Sequence, residues 1–429
     1  MTETPADDER KLAVSLGGVH AGDITRSRRG ATYGFAYSAD WLGSPSATAL
    51  SVSLPLRPEP FSHKECSPFF AGLLPEGGPR QTTARRLGVS VQNDVALLEA
   101  LGGDCAGAVS IGPALRSRQT EETTVEEDTV QWLSEDELAG LLTELPRRPL
   151  LGGAAIGVRL SLAGAQDKAP IRFDGARYGL PVGTAASTHI LKTPIPGFPA
   201  TVVNEALCLA TIRALGLPAV EALPVRIGDV VALRVERYDR VVDGDVVGRV
   251  HQEDACQALG VPPEQKYEAE GGPGVEAIAA LLRGVSGRPA ISTRAFLELV
   301  VGWYLVGNAD GHAKNVSLLH GTGEISLSPA YDVLCTAAYE HHDERMAMRI
   351  GREYRPSRVE RRHWERFVDG AGFSRAFLRR IRELAEQAPA AVRTASDDLV
   401  ARGWDDPLLG QVVEIVDARS RCVVDALSS

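Results

Sequence analysis

The hydrophobic pattern of this chain changes period near residue 250, and that change limits the folds open to its larger, C-terminal part. Upstream, the short apolar runs 169–173, 188–192 and 230–236 read as strands, with one helix over 204–215 closed by Gly216. Downstream of His251, the spacing predicts helices over 296–306, 361–368, 376–386 and 408–427. A strand-rich half joined to a helical half predicts an α+β unit of two lobes, divided at about 250. A smaller β-rich domain precedes it, over 11–115. Its strands are 12–16 and 19–24 around the hairpin signal Gly17-Gly18, then 50–56 and 108–111, with helices over 69–74 and 95–101. Residues 1–10 are polar and expected to be disordered. Eight acidic residues between 121 and 137 mark 116–150 as an acidic linker carrying one short helix, with Ser134 and Glu137 as its capping box. The two-lobed unit is expected over 151–429.

Composition removes several function classes. The net charge is −10, so the chain does not coat nucleic acid by charge alone. No apolar run approaches the roughly 20 residues of a membrane span, and the acidic N-terminus lacks the apolar core of a secretory signal. The six cysteines form no Cys-x-x-Cys pair, which fits buried thiols in a reducing, cytoplasmic setting rather than disulfides or zinc.

Several segments carry residue types suited to phosphate chemistry. Residues 307–315 form a loop after an apolar helix and hold Asp310 and Asn315 five apart, the spacing of a kinase catalytic loop. Both are also ordinary turn formers. Asp332 lies 22 residues past Asp310, where kinases place a metal-binding carboxylate, and equally suits a cap of the following segment. Lys192 ends an apolar strand, with Glu205 as a candidate ion-pair partner on the next helix; a solvent-facing lysine is the alternative. Residues 161–168 (Ser-Leu-Ala-Gly-Ala-Gln-Asp-Lys) supply backbone N–H groups able to cradle a phosphate, or an ordinary hairpin turn. Taken together, these segments follow kinase order, and 233–239 fits a strand leading into a hinge between lobes.

The same segments resemble the signatures of HipA-family serine/threonine kinases, toxins of type II toxin–antitoxin systems. The resemblance covers 161–168, 188–192, 235–240, 251–260, 266–274, 310–315 and 331–333, and in the first domain 51–56, 69–76 and 101–109. It spans residues 12 to about 400. It implies a two-lobed protein-kinase-like domain behind a small β-rich domain, using ATP and Mg2+. Asp310 would be the catalytic base, Asn315 and Asp332 the metal ligands, and Lys192 the phosphate-binding lysine. The phosphate loop would be Ala163, Gly164, Ala165, Gln166, Asp167 and Lys168. Glu236, Arg237 and Tyr238 would meet the adenine. His312, Ala313, Lys314 and Asn315 would line the nucleotide site, as would Tyr331, Asp332, Val333 and Leu334. Ser161 aligns with the family's autophosphorylated serine. Asp167 stands where Glu or Pro is more usual, and Ala309 where Thr is common.

The implied partners are a HipB-like helix-turn-helix antitoxin, DNA mainly through that antitoxin, and a protein substrate. In the family's best-known members that substrate is glutamyl-tRNA synthetase; relatives modify other tRNA synthetases. No membrane is implied. The alternative is a catalytically silent paralogue serving only as a co-repressor with its antitoxin. A small-molecule kinase built on the same lobes is a further rival.

Overall fold

In the computed structural model, which describes residues 11–26, 32–113, 129–147, 166–183, 185–321, 323–340 and 343–428, the chain opens with a four-stranded antiparallel sheet. Strands β1 (Lys11–Leu16) and β2 (Val19–Arg26) form the expected hairpin. Gly17 and Gly18 turn it at φ 59° and 82°, backbone that glycine enters without a Cβ penalty. Strands β3 (Tyr33–Tyr37) and β4 (Val109–Pro113) complete the order β3-β2-β1-β4. Helices α1 (Ala39–Leu42), α2 (His63–Gly72), α3 (Gly77–Leu87) and α4 (Asp94–Leu101) pack around it, and Phe35, Phe61, Phe69 and Phe70 fill the core between. Helix α3 has no counterpart in the sequence reading, because it buries only Pro79, Thr83 and Ala84 and shows little apolar period. The strand expected over 50–56 is instead a tight turn with one bridge, Ser51 to Leu54. Leu50 and Leu54 are its anchors, while Ser51 donates outward to the Glu253 carboxylate and Ser53 to the Gln257 carbonyl.

The second unit begins earlier than its composition implies. Part of the segment read as an acidic linker belongs to it: β5 (Val130–Leu133) joins its sheet and α5 (Glu135–Glu144) packs against that sheet. Strand β5 pairs with β7 (Tyr178–Pro181), and Leu138 and Leu142 of α5 pack on Ala169, Ile171 and Leu191. The capping box is present: Ser134 Oγ accepts from the Glu137 amide and Glu137 Oε2 from the Ser134 amide. With β6 (Lys168–Phe173), β8 (His189–Lys192), β9 (Ala222–Ile227) and β10 (Val230–Glu236) the sheet runs β5-β7-β6-β8-β10-β9. Helix α6 (Thr201–Ala214) packs on β9 and β10. A two-stranded ribbon, β11 (Arg240–Asp243) and β12 (Val246–Arg249), projects beyond the hinge.

The helical lobe is arranged around a small sheet of β13 (His251–Asp254), β14 (Ser317–His320) and β15 (Ile325–Leu327). Its helices are α7 (Ala255–Leu259), α8 (Val275–Val285), α9 (Pro289–Leu305), α10 (Arg361–Gly370), α11 (Phe377–Ala401) and α12 (Pro407–Ser428). Helix α9 starts seven residues before the apolar run, with Pro289 at its first position, where the missing N–H costs nothing. Helix α11 continues fifteen residues past the expected end at Glu386, through Pro389, because Ala388, Ala391, Val392, Ala395 and Leu399 keep one face buried. Among the described residues, no helix is long and apolar enough to cross a membrane. Five cysteines are buried and Cys422 is exposed.

The first unit is fastened to the second by buried polar groups. Asp104 accepts from Arg240 Nη2 at 2.7 Å and from Ser187 Oγ at 2.6 Å, and pairs with Arg237 and Arg249. Asp239 Oδ2 in turn accepts from the Gly107 amide at 2.7 Å and from Arg237 at 2.8 Å. Nearby, Glu253 accepts from Ser51 Oγ and from the Val52 amide, and Gln257 Nε2 donates to the Phe69 carbonyl at 2.9 Å. Both lobes of the second unit therefore contact the first domain.

Candidate active site

A cavity of about 340 Å³ lies where the sheet, the helical lobe and the first domain meet. The sheet contributes Lys168, Ile190 and Lys192, and Gln166 just before it; the hinge contributes 236–238. Asp310, His312, Lys314 and Asn315 enter from the loop after α9, and Tyr331, Asp332 and Leu334 from the segment after β15. Gly72, Leu73 and Glu76 of the first domain close one side.

One end of the cavity is charged. Lys192 Nζ donates to Glu205 Oε1 at 2.6 Å and to Asp332 Oδ1 at 2.8 Å. Burial alone would lower the Lys192 pKa, but Asp332 and Glu205 hold it above the ordinary lysine value. Burial likewise works against ionised Asp332, yet Lys192 and Lys168 keep its carboxyl below the usual range. Lys168 is pushed down to about 8, by burial first and by the neighbouring Lys192 second. Burial takes His312 down to about 4, so its ring is neutral at pH 7. Asp332 sits at φ 56°, a left-handed backbone that aspartate tolerates better than most residues. Its other oxygen, Oδ2, accepts from Asn315 Nδ2 at 3.3 Å, while Asn315 Oδ1 accepts the His312 amide at 3.1 Å. Asn315 and Asp332 offer the hard oxygen donors that magnesium prefers, and two protein donors leave room for phosphate and water. In this arrangement Asn315 turns Nδ2 toward Asp332, and its Oδ1 keeps a second lone pair beside the bond from the His312 amide.

Asp310 is held separately. Its Oδ1 accepts from Tyr267 Oη at 2.7 Å, and its amide donates to Asn308 Oδ1 at 2.9 Å. Burial and the charge of Asp310 both raise the Tyr267 pKa, so this hydroxyl stays a donor. The cavity also has an apolar wall that includes Ile190, Val220, Val235 and Leu334. Beside it the rings of Tyr238 and Tyr331 stack with centroids 5.5 Å apart. That wall suits a flat heterocycle, and the lysine-rich end suits its phosphates.

Most of the expected site residues converge here, with exceptions. Ala313 and Val333 are completely buried in the helical-lobe core and do not line the cavity. Asp167 is half-buried beside the cavity rather than in its wall. Arg237 reaches the cavity only at the hinge, because its guanidinium is bonded to Asp239, Asp104 and Ser187. Ser161, Ala163, Gly164 and Ala165 lie outside the described residues. Sequence reasoning assigned no role to Glu76, Lys266 or Tyr267. Segments 69–76 and 266–274 had been singled out only as family motifs.

Comparison with known proteins agrees with this architecture. Residues 12–112 match the family model described as HipA N-terminal domain, and residues 160–392 match the one described as HipA-like C-terminal domain. The chain is 42% identical to the Sinorhizobium fredii protein Y4mE over 96% of its own length and 98% of that protein. It is 30% identical to the serine/threonine-protein kinase toxin HipA of Shewanella oneidensis, over 89% of this chain and 88% of that one. A solved structure of the Shewanella oneidensis HipA, HipB and operator DNA complex superposes with a TM-score of 0.79 at 25% identity. The match covers 97% of this chain and 96% of the other.

Proposed function

This chain belongs to the HipA family, and on that premise we propose that it is an ATP- and magnesium-dependent protein serine/threonine kinase acting as a growth-inhibiting toxin. The observation that carries the reading is the Lys192 ammonium held between Glu205 and Asp332, in the cavity that also holds Asp310. Phosphoryl transfer of this kind needs the lysine–glutamate pair and the metal-binding aspartate in place together.

In the proposed reaction a substrate serine approaches Asp310, whose Oδ1 is occupied by Tyr267. The second carboxylate oxygen accepts the hydroxyl proton. The serine oxygen forms a bond to the γ-phosphorus as the bond to the β–γ bridging oxygen breaks, and ADP leaves with that electron pair. Lys192 binds and orients the phosphates, and the apolar wall with the hinge at 236–238 holds the adenine. Asn315 and Asp332 would hold a magnesium ion, which would supply neutralisation of the phosphate charge.

The substrate class, following the family resemblance, is a tRNA synthetase in the cytoplasm. The toxin would be neutralised by a HipB-like helix-turn-helix antitoxin that also supplies most DNA contact; the solved relative with HipB and operator DNA supports this pairing. The test is the intact mass of the purified chain after incubation with ATP and magnesium, beside an Asp332→Asn control. Gain of one phosphate in the parent alone, mapped to Ser161, is expected. Absence of both that gain and a nucleotide-induced thermal shift would replace the kinase by a DNA-bound co-repressor.

The loop that carries Asp310 also tolerates no bulk. A Cβ added at Gly311 would lie 2.4 Å from the ring of Trp303, which is itself buried in α9. Gly311→Ala must therefore displace the loop, and misplacement of reacting groups by about 1 Å costs up to roughly 10²-fold in rate. Turnover should fall at least tenfold by the same argument, with a changed near-ultraviolet tryptophan signal. Parent-like turnover would show that the loop has slack.

A further inference from the structure

Glu76 occupies the cap position of helix α3, from which a short polar side chain would bond the first helix amides. It does not do so here: no side-chain cap bond is made. Its carboxylate turns into the cavity instead, 2.9 Å from Lys266 Nζ and 3.3 Å from Lys314 Nζ. Lys314 is nearly inaccessible and is also 3.2 Å from Asp254, so two ammonium groups and two carboxylates form one closed, charge-balanced cluster.

The two lysines belong to the two segments on which the reaction depends. Lys266 is followed by Tyr267, the hydroxyl donor to Asp310. Lys314 is followed by Asn315, which meets Asp332. The segments also touch directly, the Ala313 amide donating to the Lys266 carbonyl at 3.3 Å. We infer that Glu76, from the first domain, is a positioning residue for phosphoryl transfer, clamping the 266–267 and 313–315 segments to each other. This rests on the kinase reading for its catalytic consequence, but the clamp itself is a statement about structure. Burial works against the Glu76 charge, while Lys314 and Lys266 hold its pKa below the ordinary value, so the clamp is ionised at pH 7. The first domain is then part of the reaction apparatus.

The experiment compares Glu76→Gln and Lys266→Met with the parent by hydrogen–deuterium exchange and steady-state kinetics. Glu76→Gln should speed exchange at 266–274 and 308–316 while β1, β2 and β4 stay as protected as in the parent. Lys266→Met should loosen 266–274 and leave 313–316 unchanged. Turnover in Glu76→Gln should fall on the order of tenfold with KM for ATP unchanged, a split that general destabilisation would not give. Parent-like exchange in both variants would overturn the clamp, whether or not the chain proves to be a kinase. If Glu76→Gln fails to fold, Lys266→Met alone decides. A parent without turnover would remove the kinase reading and leave the exchange result standing.

Discussion

Asp310→Asn is expected to lower phosphoryl transfer by roughly 10²–10⁴-fold, the usual contribution of a positioned general base, without weakening nucleotide binding. Asparagine is nearly isosteric, and its carbonyl oxygen still accepts from Tyr267, which donates at 2.7 Å in the parent. The loop geometry and the Asn308 bond to the backbone at 310 are untouched. What is lost is the proton-accepting carboxylate. In the proposed reading nucleotide affinity rests on other groups: Lys192, the apolar wall and the hinge, all of which line the cavity. The variant should therefore keep the parent's ATP-induced thermal shift while the phosphate gain disappears. Full turnover in Asp310→Asn would remove Asp310 from the chemistry and return the loop to its ordinary turn-forming role. Loss of the thermal shift would instead make Asp310 a binding residue.

The contrast between what was legible in the sequence and what was not follows sequence distance. Lys192, Asp310, Asn315 and Asp332 each sit in a short motif whose local pattern betrays its setting, a strand end or a loop after a helix. Their convergence was inferable from their order along the chain. Glu76 and Lys266 meet across 190 residues, and nothing in the local pattern of either announces the other. Strand β5 was hidden for a different reason. The acidic residues around it dominate the composition of 121–137, whereas burial of α5 needs only Leu138 and Leu142, with Leu145 just beyond it. In the 50–56 turn, alternation was a false signal: Leu50 and Leu54 share the core, but the intervening serines serve an interface that periodicity cannot represent. Asp104 belongs to the same class: it sits in the glycine-rich segment 102–107, whose local pattern gives no sign that this aspartate is wholly buried.

That aspartate gives the largest stability effect expected of any single change. Asp104 faces Arg237, Arg240 and Arg249, with Asp239 as the second carboxylate of the cluster. Asp104→Ala leaves three guanidinium groups around one acid in a site closed to water. Breaking a buried pair in this way costs about 3–5 kcal/mol, because the remaining charges keep their desolvation penalty. The apparent unfolding midpoint should fall by roughly 10 °C, and the transition should split as the first domain loosens from the second. Acid provides an independent check. Burial raises the pKa of both carboxylates, but the arginines win and hold Asp104 and Asp239 below the ordinary aspartate value. A group with a depressed folded pKa stabilises above its unfolded value, about 3.9, and that contribution is lost as pH falls through the folded value. The parent should therefore lose stability below about pH 4 more steeply than Asp104→Ala, which has one such carboxylate fewer. Equal acid slopes for the two proteins, or a midpoint unmoved at neutral pH, would mean that the cluster does not hold the domains together and that the apolar contacts beside it do.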